Sequence, residues 1–497
     1  MKLSSRFVAL AGAAAVTLAA SSPARGDGGY YTGALGAQAA GRGGAFTAKA
    51  DDLTAVAYNP AGLAKIGTTI IQVGNRFSYN GSSYTRATTL DWGNVDASGM
   101  PPSVSFAKVN NSQTVQAAEP LLGVASNLGL RDWGFALAAY APPGTSRLAF
   151  PLDGGQRYQM LNREAIILSY CAAAAWKFRD VFGVGATVQW IHVPRLVYSL
   201  VIDGTPYSGE ANPVSSDLDI QATMRGSDPF TFNAIIGAWV RPVPAFEFAV
   251  AGQVVPADIV TNGTLSVAFV RTDPSLPTLY TTRNGDPAND VRVTLPLPLL
   301  ARAGARYRNL GADGHERFDI EVNVAYETWS RVQRFRVDTN NLVVNFRPTA
   351  VNINRIDIDK RWRDTVTVSV GGDVVIIPDR LALRAGLFYE TAVADAAYAS
   401  VDFSGGPQFG GGAGASVSFG HWKLMLAYQA RVQQTVSVTE ANARVYQQVP
   451  GSACMAPYTS ASCNPNYLGQ PGPAVNAGTY NTASHFALLA AQYRFGL

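Results

Sequence analysis

The feature that most constrains this chain is a two-residue alternation of apolar and polar side chains, which recurs without a linker through roughly 400 residues. In Phe318–Glu327 the two faces separate cleanly: Phe318, Ile320, Val322, Val324 and Tyr326 oppose Asp319, Glu321, Asn323 and Glu327. Leu381–Glu390 and Trp422–Arg431 show the same contrast. Successive side chains of a strand point to opposite faces, so the pattern predicts strands with one apolar face.

A soluble β-sandwich also alternates, but one such domain rarely exceeds roughly 250 residues. Hydrophobic residues make up 47% of this chain and charged residues 15%, which is too little charge to cover a soluble surface. A face that meets lipid needs no charge, whereas lipid cannot accommodate an open sheet edge. The sequence therefore predicts an all-β protein, a closed transmembrane antiparallel β-barrel surrounded by the lipid of a bacterial outer membrane.

The alternation predicts about 14 strands within residues 67–497. The segments are 68–80, 117–129, 132–142, 161–177, 180–199, 218–240, 245–269, 288–308, 316–334, 361–376, 380–392, 407–420, 421–438 and 481–497. Tight turns such as Arg179-Asp180 and Pro378-Asp379 are expected at the periplasmic end. The long polar stretches are expected outside the cell: 91–118, 144–161, 204–216, 272–289, 338–360 and 441–480.

The alternation also predicts which charged side chains face the lumen. In Val291–Arg302 it places Val291, Val293, Leu295, Leu297 and Leu299 toward lipid and Arg292, Thr294 and Arg302 inward. The full set of expected lumenal charges is Arg292, Arg302, Arg306, Asp319, Glu321, Arg384 and Glu390. We expect these groups to form ion pairs with charges of the N-terminal segment such as Arg42, Asp51 and Asp52. The alternative is that one or two of the arginines bind the carboxylate of a fatty acid.

Residues 1–26 have the composition of a cleavable export signal. Lys2 and Arg6 precede the small apolar run Phe7–Ala20, and small residues follow. The run is shorter than the roughly 20 apolar residues of a spanning helix, which disfavours a membrane anchor.

Residues 27–66 are rich in Gly and Ala, too small for a regular strand and too interrupted by Gly for one long helix. The segment is long enough to form a compact plug, which we call the hatch, in the mouth of the barrel. Within it, Asn59-Pro60 is typical of a turn, because Pro fixes φ and the Asn side chain bonds nearby backbone. A simple turn leading into the first strand remains the alternative.

With these segments placed, the chain resembles the FadL/TodX family of outer-membrane transporters of long-chain fatty acids and hydrocarbons. The matching hatch residues are Gly41, Arg42, Asp51, Asp52, Asn59, Pro60, Ala61 and Gly62. Further matches are Gly134–Gly144, the strand ending at Tyr326–Ser330, and Trp362–Thr365 leading into Leu381–Glu390. The resemblance implies a fourteen-stranded barrel, a lumenal hatch, passive uptake of hydrophobic small molecules and lateral release through a gap in the wall.

Arg157, in the Gly155–Tyr158 step that is similar to the family pattern, is the candidate ligand for a fatty-acid carboxylate. A carrier of neutral hydrocarbons would not need it. Cys454 and Cys463 share a long loop, where a disulfide between them would restrict its motion. Cys171 lies in a strand and is expected to be an inert apolar residue.

The sequence gives little indication of an enzyme, and we expect no cofactor or metal, because the four histidines are scattered and catalytic motifs are lacking. The net charge of +4 includes no basic block, so no nucleic acid is expected as a partner. We expect a monomer, assembled by the barrel assembly machinery although the final residue, Leu497, is not aromatic. A diffusion porin or structural barrel is the second interpretation, and a barrel-embedded lipid hydrolase the third.

Overall fold

The structure is a computed structural model, and it describes residues 34–90, 98, 100, 102–142, 147–202, 219–274, 276, 278–346, 349–446 and 474–496. The predicted export signal and the predicted Cys454–Cys463 pair lie outside the described residues. The strands, numbered β1 to β25, are Ile70–Arg86, Thr89–Leu90, Ser103–Val104, Val109–Asn110, Val115–Ser126, Trp133–Tyr140, Leu148–Ala149, Asn162–Phe178, Phe182–Ile202, Ile220–Val243, Phe246–Gln253, Asp258–Phe269, Tyr280–Arg283, Asp286–Pro287, Asp290–Pro296, Leu300–Leu310, Glu316–Glu327, Arg334–Phe346, Thr349–Asp359, Thr365–Ile377, Leu381–Glu390, Gln408–Phe419, Trp422–Gln433, Val436–Val438 and Gly478–Arg494.

The helices are short. Ala37–Gly41 and Ala55–Tyr58 are α-helical, and Pro60–Lys65, Trp329–Arg331, Ala396–Tyr398 and Glu440–Asn442 are 3₁₀-helical. Among the described residues, no helix has the length and apolar character needed to cross a membrane.

The wall closes on itself. Strand β1 pairs antiparallel with β25 over its whole length and with β5 on its other side. The remaining neighbours follow in chain order around the sheet, and the pairs β11–β12 and β15–β16 each make up one interrupted wall strand. The prediction of a fourteen-stranded antiparallel barrel is thereby confirmed.

Connections at one end of the barrel are tight turns, with positive φ angles at Arg179, Asp180 and Asp379. Those at the other end are long. The stretch 338–360, predicted to be a loop, is instead part of the hairpin formed by β18 and β19, which also pairs with β15. Asn340 and Asn341, both with positive φ, interrupt its alternation, so the sequence pattern alone did not reveal the hairpin.

The alternation places apolar side chains outward, as predicted for most of the wall. On β17, Val322 and Val324 are 44% and 43% exposed, whereas Asp319 and Glu321 are 1% and 0% exposed. Leu383 and Leu387 on β21, and Leu424 and Leu426 on β23, are likewise exposed, while Arg384 and Met425 between them are buried. The exposed apolar side chains form the surface that meets lipid.

The predicted orientation of Val291–Arg302 is wrong for its first half. Val291, Val293 and Leu297 are buried inside the barrel, and Arg292 is exposed. The reason is a change of register between β15 and β16. Gly252 pairs with Ala301 and Asp258 pairs with Pro296. Gly252 and Asp258 are six positions apart in the sequence, whereas Pro296 and Ala301 are only five positions apart. This one-residue difference exchanges the two faces, so that Arg302 and Arg306 still point inward.

Candidate functional site: the hatch and the lumen

The hatch fills the periplasmic half of the lumen, and most of its described residues, 34–66, are buried. The first helix, Ala37–Gly41, packs against β22 and β23, and the 3₁₀-helix Pro60–Lys65 packs against β8, β9 and β10. Small side chains allow this close approach.

Arg42 is the centre of the ion pairs that hold the hatch to the wall. Its side chain has no solvent exposure, and its Nη1 atom lies 2.8 Å from Asp319 Oδ1 and 2.9 Å from Asp373 Oδ1. Its Nη2 atom lies 3.3 Å from Glu321 Oε2. These contacts bring together Arg42, Asp319 and Glu321, which the sequence pattern had placed in the lumen; Asp373 was not identified.

Glu321 also accepts hydrogen bonds from hatch backbone. The amides of Ala48 and Lys49 donate to its two oxygens at 2.7 and 3.0 Å. The Lys49 ammonium lies 3.7 Å from Asp373 and 3.5 Å from Glu316. The wall therefore binds the hatch through both side chains and main chain.

Asp51 and Asp52 are adjacent but have different surroundings. Asp51 is exposed and lies 3.5 Å from Lys49. Asp52 is buried and accepts hydrogen bonds from Gln38 Nε2 at 2.8 Å and from the Thr54 amide at 2.8 Å. Asp52 thus connects two parts of the hatch to each other, whereas Asp51 faces solvent.

The Asn59–Gly62 turn is fixed from both sides. Asn59 Oδ1 accepts from the Ala61 amide at 3.2 Å, and its Nδ2 donates to the carbonyls of Thr47 and Ala238 at 3.1 and 3.2 Å. Pro60 begins the 3₁₀-helix, where its missing N–H is harmless. A Cβ atom on Gly62 would lie 2.0 Å from the Ala50 carbonyl oxygen, so only glycine fits at this position.

Wall residues on β10 and β11 that the sequence analysis did not single out complete this contact. The indole N–H of Trp239 donates to the Ala61 carbonyl at 2.9 Å, and Lys65 forms an ion pair with the buried Glu247. Glu247 is also 3.0 Å from Arg241. The alternation of apolar and polar residues in Phe246–Gln253 places Glu247 on the inward face, and this pattern could have identified it as a lumenal charge.

Beyond the hatch lies a lumenal cavity of about 170 Å³. Its floor includes Leu35 and Tyr58 of the hatch, and its lining is mixed, with polar and charged side chains next to apolar ones. The charged residues are Arg302, Glu327, Glu390 and Arg431. At one side the lining reaches Pro142, which lies two positions after Tyr140, the last residue of β6.

Strand β6 is short. It has 8 residues, whereas its neighbour β8 has 17. Strand β6 pairs with β8 only up to Ser169, and the described pairing on that edge of β8 resumes at Arg163. The wall ladder is therefore interrupted beside Pro142.

The extracellular half of the barrel contains a large apolar cluster. Its aromatic members Trp329, Trp362, Phe335 and Phe403 pack edge to face, with ring centroids 5.1–6.1 Å apart. Val291, Val293 and Leu297 belong to this cluster, which explains why they are not on the lipid face.

One ion pair is buried beside these rings. The Lys360 ammonium lies 2.7 Å from Asp402 Oδ2 and 2.9 Å from Ser400 Oγ. Burial lowers the pKa of Lys360, and the Asp402 charge partly offsets that effect. Burial alone would raise the pKa of Asp402, but the Lys360 charge outweighs it and holds that pKa below its usual value. The pair joins the segment after β19 to the segment before β22.

Arg157, the predicted carboxylate ligand, is buried in the loop between β7 and β8. Its Nε donates to Asp219 Oδ2 at 2.8 Å and its Nη2 to the Tyr158 hydroxyl at 2.8 Å. Binding of a substrate anion there requires Arg157 to exchange these partners. Cys171 is a buried free thiol, and the described residues contain no cluster of side chains suited to a metal ion.

A closed fourteen-stranded barrel with a lumenal plug and a lipid-facing exterior defines an outer-membrane transport barrel. The family model described as outer membrane protein transport protein (OMPP1/FadL/TodX) matches residues 16–459, and the chain belongs to this family. A search of curated proteins found no match.

Solved structures of low sequence identity share the fold. A FadL homologue from Pseudomonas aeruginosa aligns with a TM-score of 0.72 and 15% identity over 94% of this chain and 100% of that one. The toluene transporter TodX of P. putida gives 0.60 and 13% over 93% and 99%. The toluene transporter TbuX of Ralstonia pickettii gives 0.58 and 13% over 93% and 98%.

Proposed function

We propose that this outer-membrane transporter imports long-chain fatty acids or hydrocarbons passively, with the hatch as its gate and lateral release as its exit. The observation that carries the proposal is the lumenal cavity, which extends from the hatch at Tyr58 to Pro142 at the interruption of the wall. A molecule in this cavity lies between a noncovalently held plug and the lipid phase.

Lateral release suits an apolar substrate energetically. Each CH₂ group removed from water contributes about 0.8 kcal/mol, so the bilayer is a far better destination than an aqueous pore. The short strand β6 and the end of its pairing at Ser169 support an exit at this position. Proline cannot donate to a sheet ladder, which favours a local break at Pro142.

The extracellular half supports an apolar route toward the cavity. The cluster around Trp362 and Phe335 lies inside the barrel, and Ile191 belongs to both this cluster and the cavity lining. Apolar molecules can therefore pass from outside to the cavity through side chains of similar polarity once these side chains move.

A general diffusion porin is less well supported. Such a protein needs an open aqueous lumen, whereas here the hatch is packed against the wall with Arg42, Ala61 and Asn59 fully buried. The lipid hydrolase interpretation is less well supported, because the family model that matches the chain describes a transport protein.

The exit is tested by photocrosslinking. A long-chain fatty acid carrying a terminal diazirine is imported by cells that express the protein, then irradiated, and the adducts are mapped by mass spectrometry. Lateral release predicts adducts at Ala141–Pro142 and on the neighbouring outward residue Ile166. Adducts at the periplasmic turn residue Gly420 and at Asp51, with none near Pro142, would contradict lateral release and favour passage through the hatch.

A further inference from the structure

Arg302 is the lumenal arginine that connects the cavity to the hatch. It lies on β16 and lines the cavity. Its Nη1 donates to the Ala57 carbonyl at 2.9 Å, and its guanidinium carbon lies 4.7 Å from the centroid of the Tyr58 ring. Ala57 and Tyr58 end the second hatch helix, where carbonyl groups lack partners within the helix.

Tyr58 in turn holds other parts of the hatch. Its hydroxyl accepts a hydrogen bond from the Leu35 amide at 3.1 Å, and its ring packs edge to face on Phe46 with centroids 5.6 Å apart. A chain of direct contacts thus runs from Arg302 through Tyr58 to Leu35, which also forms part of the cavity floor.

The charge of Arg302 is satisfied differently from that of the other lumenal arginines. Arg42 contacts three carboxylates, and Arg431 lies 2.7 Å from Glu390. Among the described residues, no carboxylate lies within 4.0 Å of Arg302, which binds a neutral carbonyl and a ring face. The other cavity acid, Glu327, interacts with the charge of Arg302 only at longer range, and it accepts a hydrogen bond from Trp329 Nε1 at 2.6 Å.

An anion that enters the cavity is a stronger partner for Arg302 than these neutral groups. Guanidinium–carboxylate hydrogen bonds are roughly twice as strong as neutral ones and are often bidentate. A guanidinium that turns toward a ligand in the cavity gives up the Ala57 carbonyl and its position over Tyr58.

We propose that Arg302 is the positioning residue through which a hydrophobic substrate with a carboxylate head releases the hatch. This inference rests on the proposed function and extends it to a substrate class. The substrate carboxylate takes Arg302 from Ala57 and Tyr58, the contact between Tyr58 and Leu35 loses support, and the hatch shifts. A neutral hydrocarbon or ester has no group that takes Arg302 away, so it does not release the hatch by this route.

The test uses the full-length protein with a nitroxide on Asp51→Cys, an exposed hatch position, after Cys171, Cys454 and Cys463 are changed to serine. Oleate and methyl oleate are added to the purified protein, and the mobility of the label is measured by electron paramagnetic resonance. Oleate should mobilise the hatch at a concentration about tenfold lower than methyl oleate does, since a difference of that size corresponds to one charge-assisted contact.

The Arg302→Gln variant keeps a donor for Ala57 but lacks the charge, so the preference for oleate should disappear. Arg302→Lys should retain part of it, and Arg363→Gln, at an exposed ion pair outside the cavity, should leave it nearly unchanged. An equal response of the wild type to both ligands, no response to oleate, or an unchanged preference in Arg302→Gln would overturn the inference. Hatch mobility is measured on the purified protein, without transport. A failure of uptake alone would therefore count against the proposed function, but it would not contradict the role of Arg302 in releasing the hatch.

Discussion

Arg42 of the hatch and Asp319 of strand β17 form a two-point ion pair, with Nη1–Oδ1 and Nη2–Oδ2 distances of 2.8 and 3.0 Å. Neither side chain is exposed to solvent. The backbone beside this pair is equally close: a Cβ atom on Gly371 or Gly386 would lie 2.1 Å from the Arg42 carbonyl oxygen. Two wall glycines thus allow the backbone of Arg42 to approach the wall closely.

Arg42→Met should release the hatch and raise the ionic conductance of the barrel in planar bilayers. Removing one partner of a buried ion pair costs about 3–5 kcal/mol, because the remaining charges stay buried without compensation. Arg363→Met is the matched control: its partner Asp395 lies 2.8 Å away, but the Arg363 side chain is 67% exposed. The control should cost less than about 1 kcal/mol and leave conductance unchanged. Equal, low conductance in both variants would show that Arg42 does not hold the hatch closed.

Gly62→Ala should also open the lumen, through sterics alone. The added Cβ would lie 2.0 Å from the Ala50 carbonyl oxygen, and backbone atoms cannot yield as a flexible side chain does. Gly81→Ala is the control, since its Cβ would meet the Tyr79 ring at 3.2 Å, and this side chain is 44% exposed and free to shift. Antibiotic sensitivity of expressing cells measures the leak. A leak in Gly81→Ala as large as that in Gly62→Ala would point to general damage to the barrel.

The Lys360–Asp402 pair predicts acid sensitivity of the extracellular segments. Because the pKa of Asp402 is held below its usual value of 3.8, its stabilising contribution is present above that pH and is lost as the pH falls through the lowered folded-state pKa. Limited proteolysis with pepsin, from pH 3.8 down to more acidic values, should therefore show cleavage near Lys360 and Asp402 that increases as the pH falls. Asp402→Asn should be cleaved readily at every pH tested, whereas a pH profile identical to that of the wild type would exclude Asp402 as the titrating group.

Much of the fold was accessible from sequence because a barrel in lipid imposes a strict period of two. Leu383 and Leu424 illustrate this, since nothing but lipid can contact their face. The pattern fails where the lining of the lumen is itself apolar: Val291 and Val293 have the composition of lipid-facing residues but pack against the interior cluster. The change of register between β15 and β16 carries no local signal apart from the two prolines, Pro296 and Pro298.

The hatch was recognisable from its composition, but the sequence predicted only some of its contacts with the wall. Arg42 was expected to meet lumenal acids, and it meets Asp319 and Glu321. The pairing of Lys65 with Glu247 joins residues 182 positions apart, and no local pattern could specify it. The different surroundings of Asp51 and Asp52 likewise depend on packing and not on sequence spacing.

The central claim is that the hatch must move for substrate to pass, and a covalent tie tests it most directly. Ala48 of the hatch and Ala249 of β11 lie in one buried cluster, so the Ala48→Cys/Ala249→Cys pair, in a background without the native cysteines, should form a disulfide or accept a short crosslinker. The Val250→Cys/Ala303→Cys pair joins two wall strands on the lipid side and leaves the hatch free. We expect uptake of radiolabelled oleate to fall to background in the tied hatch variant, to recover on reduction and to remain normal in the wall-tied control. Undiminished uptake with the hatch tie intact would contradict hatch-gated transport.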